Sequence, residues 1–315
     1  MPLDPRLEPL RTLLVSDDDP ILPPEARRQA GAQRSARLAG TLSGLGPDMA
    51  IEDVTVPTGP GGVPVRIYRP RGGVLAAHVN IHGGGWWTGS IAESDHGCRR
   101  RALLGDCAVV AIDYRLAPEH PFPAGLDDCE AVCRWLVDDA EQLAIDPGRI
   151  VLGGGSAGAN LAVAVALRLR DTGGPRFAGL LLESAGLDLA DLDTPSMREY
   201  GEDHGFSMAL IRECIAFYTA GHPATDPLVS PVYADLHGLP ETLITTMECD
   251  PFRDGAELFA ERAQAAGVDV TLRRFVGMAH GCAELDVLVP EVAAAYNEVV
   301  QGFLGRLLHG ARVRA

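Results

Sequence analysis

The sequence predicts an α/β protein, one mostly parallel sheet with helices on both faces. Three observations predict it. Short apolar runs recur along the chain, separated by helical patterns, the alternation that crossover-connected parallel strands require. Several of those runs lack polar alternation, as strands buried on both faces do. The 315 residues, 46% hydrophobic and 22% charged, suffice for one large globular domain with an appended cap.

Taken in order, residues 1–47 read as polar helical segments broken by Pro20, Pro23 and Pro24, with Ala and Arg at helical spacing over 24–45. They hold little apolar content and are expected to pack on another part of the chain. Runs 51–56 and 63–68 alternate apolar with polar around the Gly-rich 59–62, which predicts an antiparallel hairpin. Runs 76–81, 108–114, 150–153, 178–183, 242–246 and 268–275 read as buried parallel strands. Helical patterns at 125–141, 157–170, 254–266 and 291–308 separate or follow them. The sixty or so residues between 183 and 242 carry helical character at 207–220 and no clear strand. So long an insertion in an α/β sheet is usually functional, often a lid. The organisation expected is a cap from 1–47 and 189–221 over a main domain formed by 48–188 and 222–315.

The net charge is −16, and all 27 basic residues are Arg. That balance argues against nucleic acid, whose phosphates need clustered positive charge. The dense basic run Arg99-Arg100-Arg101 reads as a solvated helix face. The seven Cys are odd in number, and none are spaced as C-x-x-C. Cys129 and Cys133, four apart on a helix, read as core rather than metal ligands. A reducing cytoplasm is the expected location. The opening Met1-Pro2-Leu3-Asp4-Pro5-Arg6 does not resemble a secretory leader, and no uninterrupted apolar run of about 18 residues predicts a membrane span.

Four segments carry chemistry. Gly154-Gly155-Ser156-Ala157-Gly158 lies between an apolar strand and a strong helix. A sharp turn there lifts the Ser hydroxyl above the sheet, at a helix N-terminus that favours developing negative charge. His82-Gly83-Gly84-Gly85 follows another strand, and its glycines let backbone N–H groups turn inward beside that of Ala157 to hold an oxyanion. His82 itself is expected to hold the loop. Asp250, in Glu248-Cys249-Asp250-Pro251-Phe252-Arg253-Asp254, follows a third strand, with Glu248 and Asp254 competing for its role. His280, in Gly277-Met278-Ala279-His280-Gly281, follows a fourth. Ser156, Asp250, His280 is the chain order of α/β-hydrolase triads: nucleophile, acid, base.

These residues, with Asp113 to Ala124, Asn160, Asp226 to Pro231 and Asp250-Pro251-x-Arg253-Asp254, closely resemble the hormone-sensitive-lipase-like α/β-hydrolases, the bacterial family IV esterases. The likeness runs from about residue 50 to the C-terminus. It implies an eight-stranded sheet, a helical cap, no cofactor and no metal, and hydrolysis of short-acyl carboxylic esters through an acyl-enzyme. It also implies a triad of Ser156, Asp250 and His280, an oxyanion hole of Gly83, Gly84 and Ala157, a structural brace around Glu119, and dimers through the last strand and terminal helix. Gly155, Ala159 and Cys282 depart from the usual pattern, which puts rate and substrate choice in doubt more than reaction type. An amidase or carbamate hydrolase would use the same parts, and a non-catalytic small-ligand receptor is a further reading that His280 opposes. Trp86 and Trp87 after the oxyanion loop, and Met208, Ile211 and Phe217 on the insertion, are the positional candidates for the substrate pocket.

Overall fold

A computed structural model describes residues 3–8, 23–39, 49–58, 61–202, 206–282, 285 and 288–310. It holds one eight-stranded sheet in the order β1-β2-β4-β3-β5-β6-β7-β8. The strands are β1 (Ala50–Val56), β2 (Val63–Arg69), β3 (Leu75–Ile81), β4 (Ala108–Ile112), β5 (Ile145–Gly155), β6 (Gly179–Glu183), β7 (Thr242–Cys249) and β8 (Val270–Ala279). β1 and β2 pair antiparallel, as do β2 and β4; every other pair is parallel.

The uniformly buried strands are the central ones. Every residue of β3, β4 and β6 is buried. Within β4, Val110 and Ile112 enter one core cluster while Val109 and Ala111 enter the other. Period-2 alternation therefore sends both sets into hydrophobic layers, and no polar face is left to read. One layer is closed by α3 (Ala124–Asp138), α4 (Ala157–Asp171) and α7 (Arg253–Ala265), the other by α2 (Ile91–Gly105) and α8 (Pro290–His309). Cys129 and Cys133 lie in the first layer, fully buried and unpaired.

Helix α2 was not visible in the hydrophobic pattern. Its start is N-capped by Ser90, whose Oγ accepts the Glu93 N–H at 3.2 Å and donates to the Glu93 carboxylate at 3.2 Å. Its inward face carries charge, which corrects the reading of the basic run. Arg100 and Arg101 are each only 7% exposed; Arg100 bonds Asn297 on α8, and Arg101 pairs with Glu183 at the end of β6. Arg99 pairs with a partly solvated Asp95 one turn back.

In the insertion, α5 (Pro195–Tyr200) and α6 (Met208–Thr219) are capped by Thr194 and Ser207, whose hydroxyls accept N–H groups at 3.3 and 3.0 Å. The N-terminal helix α1 (Pro24–Ala39) reaches α6 through Arg27, whose guanidinium bonds the Glu213 carboxylate twice, at 3.0 and 2.8 Å. The expectations for 1–2, for 9–22 with Pro20, for 40–47, and for Gly59 and Pro60 of the first turn lie outside the described residues. No helix among the described residues is long and apolar enough to cross a membrane.

Candidate active site

All four segments emerge from strand ends on one edge of the sheet. Ser156 follows β5 directly and opens α4, with φ at 55°. A non-glycine residue in that region carries strain of about 1–3 kcal/mol, stored where the surroundings enforce it. Here they do. The Ser156 N–H donates to the Glu183 carbonyl on β6 at 2.7 Å, and the Ser156 carbonyl accepts the Asn160 N–H at 3.2 Å. The elbow's outer glycines are demanded by close approach. A Cβ on Gly154 or Gly158 would sit 2.2 or 2.0 Å from the carbonyl oxygen of Ile81 at the end of β3. Gly155 is different, since a Cβ there would meet nothing nearer than 3.9 Å.

The close fit of β3 on the elbow delivers the Gly loop to Ser156. A Cβ on Gly83 would lie 3.4 Å from the Ser156 Cβ. Gly84 turns the chain at φ 112°, where any side chain would strike the Thr88 carbonyl at 2.2 Å. No described backbone oxygen takes the Gly83 or Gly84 N–H, and the N–H of Ala157 is among those a helix start leaves unpaired. His82 holds the loop as expected: Nδ1 bonds the Gly83 carbonyl at 2.8 Å and the ring stacks on Tyr114 at 4.3 Å. Burial pushes its pKa down, so it is neutral.

The candidate acid and base, Asp250 and His280, meet. His280 Nδ1 lies 2.8 Å from Asp250 Oδ2 in a site where Asp250 is 1% exposed. The other Asp250 oxygen accepts the Phe252 N–H at 2.9 Å. Neither competitor is placed for that role. Glu248 accepts the Gly277 N–H at 2.7 Å, and Asp254 accepts the Ser196 N–H of α5 at 2.8 Å. Ser156, His280, Gly83 and Gly155 all line one cavity of about 380 Å³. The Cys282 thiol, buried beside this site, is pushed up to about 12 by burial and by the Asp250 charge, and stays protonated at neutral pH.

The five positional pocket candidates are not among the lining residues of that cavity. Trp86 stacks on Tyr218 of α6 at 4.5 Å, and Trp87 meets Phe217 edge-on at 6.0 Å under the Arg27 guanidinium. Ile211 is 2% exposed, and Met208 faces Gly201 just past α5. They pack the insertion against the segment after the Gly loop and against itself. The Glu119 region braces the same loop: Arg28 of α1 bonds Glu119, the Ala117 carbonyl at 2.7 Å and the Trp87 carbonyl at 2.6 Å. Sequence reasoning missed Arg28, and it missed Phe206 and Phe252, which pack on the His280 ring at 5.0 and 5.8 Å. Phe252 could have been found from its place two residues after Asp250; Phe206 carries no local signal.

A family model for the α/β-hydrolase fold matches residues 78–284. The carboxylesterase NlhH of Mycobacterium tuberculosis is 36% identical over 313 residues, 97% of each chain. The chain belongs to the α/β-hydrolase family. Its hormone-sensitive-lipase-like character, expected from the motifs, is borne out, and it is a carboxylic ester hydrolase. A further relative is the ethyl acetate hydrolase of Pseudomonas putida, 32% identical over 88% of each chain. Among solved structures, a hyperthermophilic esterase of Pyrobaculum calidifontis superposes with a TM-score of 0.89 at 34% identity, covering 98% of this chain and 100% of that one.

Proposed function

We propose that this α/β-hydrolase cleaves short-acyl carboxylic esters with Ser156 as nucleophile, His280 as base and Asp250 as the acid behind it. The observation that carries the assignment is the 2.8 Å bond between His280 Nδ1 and the buried Asp250 carboxylate, with His280 and Ser156 lining one cavity. That bond leaves Nε2 as the ring nitrogen free to take the Ser156 proton as Oγ attacks the ester carbonyl. Asp250 holds the Nδ1–H tautomer and stabilises the imidazolium. The N–H groups of Gly83, Gly84 and Ala157 receive the oxyanion. His280 then protonates the departing alkoxide, and water repeats the cycle on the Ser156 ester. A relative named ethyl acetate hydrolase and another named acetyl-hydrolase support the short acyl preference.

Labelling with a fluorophosphonate, followed by peptide mass spectrometry, tests the nucleophile. The label is expected on Ser156, and Ser156→Ala is expected to lose both the label and at least about 10³-fold of esterase activity. A Ser156→Ala enzyme with near-wild-type turnover rules the assignment out. The cap role of α1 and 189–221 rests on the contacts of Arg27, Arg28, Trp86 and Trp87. A homodimer through edge strand β8 fits the exposure of Leu272 and Val276 there, and light scattering that returns the mass of one chain counts against it. A cytoplasmic location fits seven unpaired Cys, and secretion of the intact protein into the medium would contradict it.

A further inference from the structure

We infer that the cavity beside Ser156 is a polar specificity pocket, selecting esters whose acyl or alcohol arm carries a hydroxyl rather than bare hydrocarbon. This rests on the esterase reading above and adds the substrate class. The cavity descends from Ser156 along the rim of the sheet toward α2 and α8. Its walls and floor include Asn80, Ser94, His96, Arg101, Glu183 and Tyr296, while Ile81 and Met247 are its large aliphatic side chains. Four of the six polar residues form one network. Arg101 donates to Asn80 Oδ1 at 3.3 Å, to the Glu183 carboxylate, and to the Tyr296 hydroxyl at 3.2 Å. Each of the four is 7% exposed or less, so the floor is built rather than a chance gathering of surface groups.

The volume, about 380 Å³, lies at the small end of the range for small-molecule sites. Part of it exists because residue 155 has no side chain, in a place where a Cβ would stand 3.9 Å from its nearest neighbour. The network holds its shape through its own bonds and presents fixed dipoles to whatever enters. Polar groups lining a cavity open to solvent are satisfied by water when no ligand is bound. A hydrocarbon arm must displace that water and return no hydrogen bond, which penalises it; a hydroxyl-bearing arm replaces the bonds it breaks. On the wall, the Ser94 hydroxyl proton is shared between the helix carbonyls of Ser90 and Ile91, so toward an arm the oxygen can act only as an acceptor. The His96 ring has no hydrogen-bonding partner among the described residues and can meet an arm directly.

Isosteric ester pairs test this in a pH-stat assay on the full chain. Ethyl 3-hydroxybutyrate against ethyl 3-methylbutyrate probes the acyl arm, and 3-hydroxypropyl acetate against butyl acetate probes the alcohol arm. Each kcat/KM is divided by the ester's own hydroxide-catalysed rate. The hydroxyl member is expected to win by about tenfold in at least one pair, the scale of one to two net hydrogen bonds. Asn80→Leu and His96→Leu are each expected to cut that preference threefold or more; if Asn80→Leu does not fold, the partly exposed His96→Leu decides. Ratios under about threefold in both pairs for the wild type, with nitrophenyl acetate still turned over, overturn the pocket inference and leave the esterase reading standing. A chain that hydrolyses none of these esters overturns both.

Discussion

Asp250→Asn replaces one oxygen of a buried carboxylate with an NH₂ group and leaves shape almost unchanged. The surroundings decide how the amide sits. One Asp250 oxygen accepts the Phe252 N–H at 2.9 Å and the other faces His280 Nδ1 at 2.8 Å. The amide oxygen must stay on the Phe252 side, because an NH₂ group there would oppose an N–H donor. The NH₂ group is thus aimed at His280 and forces Nδ1 to accept. The ring proton then moves to Nε2, the atom that should receive the Ser156 proton. With Asp250 only 1% exposed, water cannot restore the lost acceptor. The expected loss in kcat is about 10⁴-fold, or about 5 kcal/mol at the transition state. Steady-state hydrolysis of nitrophenyl acetate, alongside a thermal melt, measures it. Glu248→Gln is the control: its amide oxygen can still accept the Gly277 N–H, so the loss is expected to stay under about tenfold. If Asp250→Asn keeps more than about a tenth of kcat, or Glu248→Gln loses more than it does, the tautomer argument is wrong.

The two glycines that flank Ser156 should respond oppositely. Gly155→Ala, with open space at its Cβ, should change stability by less than about 1 kcal/mol, while Gly158→Ala, whose Cβ would lie 2.0 Å from the Ile81 carbonyl, should lose several kcal/mol or fail to fold; similar melting temperatures for the two would refute the packing account. Acid should weaken the fold through His78, whose pKa burial, helped by the Arg101 charge, lowers to about 3. Between that value and the ordinary one near 6.5 the unfolded chain binds the extra proton, so stability is full above about pH 6.5 and falls as pH drops toward 3. Melting temperature should therefore depend less on pH in His78→Leu than in wild type, with a residual slope from His82, which is shifted the same way; an unchanged slope would argue against a neutral buried His78. Arg28→Ala frees the Trp87 carbonyl beside the oxyanion loop and should lower kcat more than it raises KM, by less than the roughly 100-fold that loss of an oxyanion donor brings; an effect on KM alone would mean that Arg28 orders only the cap.

The sequence by itself determined the parts whose signal is local. Buried parallel strands read as apolar runs because both of their faces are covered. The elbow and the Gly loop read as glycine clusters because backbone must approach backbone within a carbonyl's reach, as Gly158 does at Ile81. Asp250 and His280 could be named because each follows a strand end, and strand ends of a parallel sheet share one edge. What only the tertiary structure decided depends on contacts between distant segments. Arg100 and Arg101 look like surface charge until Asn297 and Glu183 arrive from nearly 200 and 80 residues away. Trp86 and Trp87 follow the Gly loop in sequence, and only the packing shows that they meet Tyr218 and Phe217 of α6. Sequence favoured Asp250 over Glu248 and Asp254, but only the packing gives each its partner: the Gly277 N–H for Glu248, the Ser196 N–H for Asp254 and His280 for Asp250, beside a register shift between Met247 and Cys249. A strand's apolar content is a property of its own residues. A charge's partner, and the shape of the space beside a nucleophile, belong to the packing of elements far apart in the chain.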